Sequence, residues 1–377
     1  MNFLILFKKL DKYLGTPLCY LLGLFVKDKH IPDPTKVKNI LIVKLIAMGD
    51  IIVLLPTIHA IRKRYPNSKI CFLTTPGMKI LLQDSPDIDD VITFQPSIGE
   101  IFKTINRLGQ IGFDLAIELT HYYRIVSLIT LLSKIPHRVG FDISGQGRNT
   151  MLTKKVKYHD DLHEVDNFLN IAKAVDANLE EKKLIPPTFS TEKQDQEYIS
   201  KILKDNNINS YIVIHPGTSA TAKSRRWPAD RFYKLAKKLK QEGYDIVFSG
   251  AQEEQPIIKK ILDNGELDCL NLVGKTTLSQ LLELFKQANL VISLDTGPMH
   301  LAAASGTPTL GLFGANTPVK WGPYGKQHQA IYHGPKVPCT QQQYGKVCNH
   351  PEGYHMKDIT VNEVFEAVYK LKRTNKV

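Results

Sequence analysis

The stretch VISLDTGPMHLAAA, residues 291–304, decides the fold. Val291 to Leu294 is an apolar run of the kind that a parallel strand covered on both faces requires, and Pro298 is placed to open a helix of small residues. Between them, Asp295-Thr296-Gly297 makes a turn whose free backbone N–H groups, with the positive end of the helix, face an anion. Asp295 and His300 offer side-chain hydrogen bonds beside it. Without further context the same segment is an ordinary strand-to-helix connection of an α/β domain.

Working outward, strand, turn and helix recur along the chain. Residues 39–44 (NILIVK) form a strand, Ala47-Met48-Gly49-Asp50 turns it, and Ile51 to Tyr65 is an amphipathic helix. Further strands are expected at 69–73, 91–94 and 115–119, with helices around 77–83, over 97–108 and through Leu132. Arg138 to Phe141 reads as a last short strand, Ser144 to Lys157 as a polar, mobile loop, and His163 to Val175 as the helix ending the first half. A linker runs from Pro186-Pro187 through Lys193. A second series follows: strands at 211–215, 245–249, 270–273 and 290–294, helices over 230–242, 255–262 and 277–287, and Pro308 to Phe313 closing the sheet. Thr360-Val-Asn-Glu363 has capping-box spacing and opens a terminal helix over 361–372. The expected architecture is α/β, with two facing Rossmann-like domains and a cleft between them. The boundaries are 1–35 for an N-terminal helical segment and linker, 36–190 for the first domain, 191–335 for the second, and 336–377 for a C-terminal loop and helix.

Length and composition agree. A chain of 377 residues exceeds one core of ordinary size, and 43% hydrophobic with 23% charged residues are globular values. The net charge of +12 asks for an anionic partner: nucleic acid, an anionic membrane or a phosphorylated substrate. Basic residues are not interleaved with aromatics in an RNA-recognition pattern, so nucleic acid is disfavoured. Cys19, Cys71, Cys269, Cys339 and Cys348 are sparse and odd in number, which fits a reducing cytosol.

Residues 1–26 are apolar but broken by Lys8, Lys9, Asp11 and Lys12, too interrupted for a membrane span and wrongly ordered for a signal peptide. Two readings stay open: an amphipathic helix lying in the lipid headgroup region, or a helix packed on the protein's own surface. Cys19 is then a structural thiol or a lipidation site.

Three constellations bear on chemistry. Lys44-Leu-Ile-Ala-Met-Gly-Asp50 sits at the carboxyl end of the first strand, where open α/β sheets present catalytic groups. Only Gly49 of a G-x-G-x-x-G fingerprint is present, so NAD and FAD are disfavoured. Asp50 either caps its helix or, as a carboxylate with few positive neighbours, serves as a general base on a sugar hydroxyl. In the second half the loop from His215 to Pro228 supplies Gly217 for close backbone approach and the hydroxyls of Thr218 and Ser219. Lys223, Arg225 and Arg226 add charge suited to a diphosphate leaving group.

Other signals are weak. Asp-Thr-Gly lacks the second triplet that an aspartic protease needs. Val273-Gly-Lys-Thr-Thr277 lacks the upstream glycine of a phosphate-binding loop, which here is Cys269. Cys339, Cys348, His350 and His355 have loose spacing for zinc and no C-x2-C anchor. No metal and no cofactor is expected.

Residues 40–66, 212–232 and 291–314, with Trp321-Gly-Pro-Tyr324, resemble glycosyltransferase family 9, the ADP-heptose:lipopolysaccharide heptosyltransferases. The resemblance runs in order from about Asn39 to Tyr324. It implies a GT-B fold, metal-independent inverting transfer and a nucleotide-sugar donor held mainly by the second domain. By motif, Asp50 corresponds to the base that deprotonates the acceptor. Thr218 and Ser219 correspond to hydroxyls near the diphosphate, and Asp295, Thr296, Gly297 and His300 to the block holding the donor's phosphates and sugar. Arg225 stands where the family commonly has lysine, and Gln252 where a glutamate of the adenosine and ribose contacts is common; Cys339 and Cys348 are similar to part of one branch's cysteine-rich loop.

The implied mechanism is direct displacement at the anomeric carbon. Asp50 activates the acceptor while Arg225 and Lys223 stabilise the departing diphosphate, with a hinge near 186–193 closing the domains over it. The implied acceptor is an anionic glycolipid met at the cytoplasmic face of the inner membrane, where the N-terminal helix makes peripheral contact. Rival readings are a transferase or epimerase using another nucleotide-sugar, and a nucleotide-sugar binding protein without catalysis.

Overall fold

The computed structural model describes residues 10–219, 222–334 and 355–375 and divides into two compact units, Met1–Lys182 and Lys183–Val377. Cys339, Cys348 and His350 lie outside the described residues.

Unit 1 is a six-stranded sheet of β1 (Asn39–Val43), β2 (Lys69–Thr74), β3 (Asp90–Thr93), β4 (Leu115–Glu118), β5 (His137–Asp142) and β6 (Lys154–Lys157). Their order is β3-β2-β1-β4-β5-β6, and every neighbouring pair is parallel. Unit 2 repeats the plan with β7 (Tyr211–His215), β8 (Asp245–Phe248), β9 (Leu270–Asn271), β10 (Leu290–Leu294), β11 (Thr309–Phe313) and β12 (Gln329–Tyr332), ordered β12-β11-β10-β7-β8-β9. Read from the other edge, this is the same doubly wound order. Each unit is therefore a Rossmann-like domain. In each, strand order reverses at one point, between β1 and β4 in the first unit and between β7 and β10 in the second, and ligands of such sheets sit beyond the strands' carboxyl ends there.

The central strands follow from composition. NILIV, YIVIH and LVISL have almost every residue buried, because helices cover both faces of a parallel sheet. Leu41, Val43, Leu73, Ile92 and Ile129 belong to the unit 1 core; Ile214, Phe248, Ile292 and Leu310 belong to that of unit 2. Burial of each such side chain contributes about 1.5–3 kcal/mol. Helix Val361–Asn375 joins the second core through Phe365, Val368 and Leu371, and its first turn is capped by the Thr360 hydroxyl, which accepts from the Glu363 N–H at 3.2 Å.

Several expectations are corrected. Ser144 to Lys157 is not a loop throughout: it contains a 3-10 turn, Arg148–Met151, and the edge strand β6, whose KKVK sequence has a single apolar residue and is held by pairing with β5. The strand at 138–141 is therefore not the last of unit 1. Likewise β12 lies outside β11, so residues 308–313 do not close the second sheet. Helix Glu192–Asp205 begins inside the stretch read as a linker.

Fully buried Arg148 places Nη2 3.4 Å from Glu118 Oε2 and donates from Nη1 to the Thr120 carbonyl. The N-terminal helix Gly15–Gly23 packs against that turn. Cys19 is buried beside Leu128 and Met151, its carbonyl accepts from Thr150 Oγ1 at 2.9 Å, and burial pushes its thiol up to about 12. Such a thiol is a structural group and not a lipid acceptor. Asp11 accepts from the backbone N–H groups of Arg124 (3.1 Å) and Ile125 (2.8 Å), and so caps helix Arg124–Leu132, whose own N-cap residue, Tyr123, provides no side-chain bond.

Candidate active site

In unit 1 the turn after β1 is tightly fixed. The Leu45 carbonyl accepts from Thr75 N (3.1 Å), Thr75 Oγ1 (2.8 Å) and Thr74 Oγ1 (3.2 Å). Ala47 takes φ 81°, a conformation that favours glycine and costs about 1–3 kcal/mol elsewhere, and reverses the chain into helix Met48–Arg64. Asp50 falls in the first turn of that helix, at the carboxyl edge of the sheet beside the switch point. Asp50 was expected to have few positive neighbours. Instead its Oδ2 lies 2.5 Å from Nζ of Lys44, a side chain buried apart from that contact.

Directly across the switch point, the turn after β4 brings in residues that the sequence did not single out. Lys44 Nζ donates to the Leu119 carbonyl (3.2 Å) and stands 3.4 Å from His121 Nδ1. His121 Nε2 in turn is 3.3 Å from Glu164 Oε2. Burial, reinforced by the Lys44 charge, pushes the His121 pKa down, so the ring is neutral.

In unit 2 the two turns flanking the switch point are those after β7 and β10, paired in register at His215 and Ser293. The β10 turn places Asp295, buried to 3% exposure, ahead of helix Gly297–Ala304, which Pro298 helps to open. Thr296 is its N-cap residue, and its hydroxyl donates to the Leu294 carbonyl at 3.2 Å. His300 is buried, its ring edge-on to Trp321 with centroids 6.2 Å apart. From the β7 side, Arg225 Nη1 reaches both the carbonyl and Oδ2 of Asp295, each at 3.1 Å. Arg226 Nε donates to Thr218 Oγ1 at 3.0 Å. Arg225, Thr218, Asp295, Thr296 and Gly297 are thus gathered at one edge of the sheet.

Ser219 and Lys223 are exposed on the loop. Gln252 is exposed too, and its Oε1 crowds Gly274, where an added Cβ would meet it at 2.0 Å. The carboxylate that closes the β7 turn is Glu254, which sequence reasoning passed over. Its Oε2 accepts from Ala251 N at 2.8 Å and lies 3.7 Å from His215 Nε2, and a Cβ on Gly217 would meet the carboxylate at 2.0 Å. Gly217 is required by that close approach. Of the cysteine and histidine set considered for zinc, His355 is described, and its Nδ1 is 3.7 Å from Asp358.

The sequence of residues 101–348 matches the profile of glycosyltransferase family 9 (heptosyltransferase), about two thirds of the chain. The chain belongs to glycosyltransferase family 9. It is therefore a glycosyltransferase, and the matched stretch contains every donor-side residue named above, while Asp50 precedes it. Among family 9 relatives, the lipopolysaccharide core heptosyltransferase OpsX of Haemophilus influenzae is 25% identical over 293 residues, 76% of this chain and 82% of its own. Two solved structures share the fold. The glycosyl transferase family 9 protein of Veillonella parvula has a TM-score of 0.76 at 20% identity, covering 93% of this chain and 99% of its own. E. coli ADP-heptose lps heptosyltransferase II has a TM-score of 0.72 at 23% identity, covering 90% and 100%. Two Rossmann-like domains in one family 9 chain make the GT-B fold.

Proposed function

We propose that this protein is an inverting heptosyltransferase that moves heptose from ADP-heptose to the lipopolysaccharide core or a similar glycolipid, without a metal. The observation that carries the reading is Asp50: its carboxylate stands at the switch point with Oδ2 held by Lys44. The acceptor hydroxyl loses its proton to Asp50, its oxygen forms the new bond to the anomeric carbon, and the bond from that carbon to the diphosphate oxygen breaks. The electron pair leaves with the nucleoside diphosphate, and a single displacement inverts the carbon. Arg225, Lys223, the hydroxyls of Thr218 and Ser219, and the N-terminus of helix Gly297–Ala304 stabilise the departing charge, with Asp295 orienting Arg225. His300 and Gln252 complete the donor set. Cationic side chains here supply the charge that a metal would otherwise bring. Support for ADP-heptose as donor comes from the relatives' activities.

The same proposal puts the enzyme in the cytoplasm, peripheral on the inner membrane. Among the described residues no helix is long and apolar enough to cross a bilayer. Around the docked helix Gly15–Gly23, however, Tyr13, Leu14, Leu21, Leu24 and Phe25 are exposed, with Lys12, Lys27 and Lys29 nearby. That combination suits an anionic lipid surface, where an amphiphilic acceptor is also found.

The test is transfer from ADP-heptose to heptose-deficient lipopolysaccharide in the presence of a chelator, with the product's anomeric configuration read by NMR. Inverted product is expected, and Asp50→Asn should bind donor but not transfer. Retained configuration, or transfer lost to the chelator and restored by a metal, overturns the mechanism.

A further inference from the structure

We propose that Lys44, His121, Glu164 and Tyr158 form a relay of positioning residues that ends on one oxygen of Asp50 and leaves the other to take the acceptor's proton. The inference rests on the reading of Asp50 as the base.

The protons these groups carry fix the direction of each contact. Lys44 Nζ has three to donate, and three acceptors surround it: Asp50 Oδ2 at 2.5 Å, the Leu119 carbonyl at 3.2 Å and His121 Nδ1 at 3.4 Å. An ammonium accepts nothing, so Nδ1 must be the accepting nitrogen and the ring proton sits on Nε2. Nε2 faces Glu164 Oε2 at 3.3 Å, and the Tyr158 hydroxyl donates to Oε1 of the same carboxylate. Glu164 is the first residue of helix Glu164–Ala174, where the helix dipole favours a negative charge.

Aromatic packing fixes the imidazole. Phe141 stacks on His121 at 5.1 Å, Tyr158 meets it edge-on at 5.2 Å, and the Phe168 ring lies 5.2 Å from Lys44 Nζ. Lys44, His121 and Glu164 are buried, whereas the Asp50 side chain is 20% exposed. Of Lys44, His121, Glu164 and Asp50, only Asp50 reaches the surface, so the charged cluster ends where a substrate can meet it. With Oδ2 held by an ammonium that cannot rotate away, the carboxylate presents Oδ1 in one orientation, which is how buried neighbours preorganise a base.

The titratable groups facing Asp50 are Lys44 from the β1 turn and His121 and Tyr123 from the β4 turn, with Glu164 and Tyr158 behind His121.

The experiment measures kcat and donor KM for Lys44→Met, Lys44→Arg, His121→Phe and Tyr158→Phe, with Asp50→Asn alongside and thermal unfolding recorded for each. Lys44→Met should lose about tenfold to a hundredfold in kcat with donor KM within about twofold. Lys44→Arg should restore part of that kcat. His121→Phe keeps the stacking and should lower kcat with no change in donor KM; Tyr158→Phe should do the same more weakly. If Lys44→Met does not fold, these two carry the test. A native kcat in any folded Lys44→Met or His121→Phe enzyme overturns the relay. So does a loss that follows unfolding alone. A fully active Asp50→Asn enzyme removes the base and the relay with it, whereas an inactive one beside fully active Lys44→Met removes the relay only.

Discussion

His215 and Gly217 illustrate how single residues set the donor turn. Burial holds the His215 pKa down to about 4, and its Nδ1 contacts Ser249 Oγ at 3.1 Å. The unfolded chain binds a proton near pH 6.5 that the folded chain refuses until about 4, so stability falls as pH drops through that window. For one fully buried histidine the loss is about 3 kcal/mol. Stability to urea between pH 7 and 4 should lose part of its pH dependence in His215→Asn, the rest staying with other histidines such as His328, whose pKa burial also pushes down to about 4; an unchanged dependence excludes this histidine as a contributor. At Gly217, alanine displaces the Glu254 carboxylate, so Gly217→Ala should both lower the melting temperature and weaken ADP binding by about tenfold or more as the turn shifts. Titration calorimetry reads that directly.

At the scale of elements, the N-terminal segment is fixed by its polar anchors while its apolar side chains remain outside. Asp11→Ala removes the cap of helix Arg124–Leu132 and should cost about 1–2 kcal/mol in chemical denaturation. Leu21→Glu with Phe25→Glu should leave stability unchanged and abolish sedimentation with vesicles containing phosphatidylglycerol. Binding retained in that double variant would move the lipid contact elsewhere. The buried pair beneath the segment behaves differently: Arg148→Met removes the counter-charge of Glu118, which keeps the Ser127 and Thr130 hydroxyls, and should cost about 3 kcal/mol, with part of this recovered on adding Glu118→Gln.

Which elements were legible follows from the same physics. β1, β7 and β10 announce themselves because two-sided burial demands unbroken apolar sequence. β6 and β12 are edge strands, one rich in lysine, and owe their structure to backbone pairing that leaves little side-chain pattern. Helix Glu192–Asp205 was missed because few of its residues, Ile199 and Leu203 among them, are buried.

On the whole molecule, the doubled Rossmann order accounts for what the motifs could and could not reveal. Asp50 and the Asp295 turn each end a central strand, so strand, turn and helix are contiguous in sequence and readable. The partners lie across the switch point: His121 is 77 positions from Lys44, Arg225 is 70 from Asp295, and only the crossover connections bring them together. Glu254 was missed for a related reason, since it acts through close approach to a glycine in another turn. The charge of +12 belongs to this scale as well, and sets an expectation that vesicle binding weakens as ionic strength rises.

The measurement that bears most directly on the account is ADP release from ADP-heptose with heptose-deficient lipopolysaccharide, compared between the native enzyme and Asp50→Asn, with UDP- and GDP-sugars as alternative donors. The account predicts acceptor-dependent ADP release that is specific to ADP-heptose and at least about a thousandfold slower in Asp50→Asn. Turnover of a UDP- or GDP-sugar in preference, or undiminished transfer by Asp50→Asn, would contradict it.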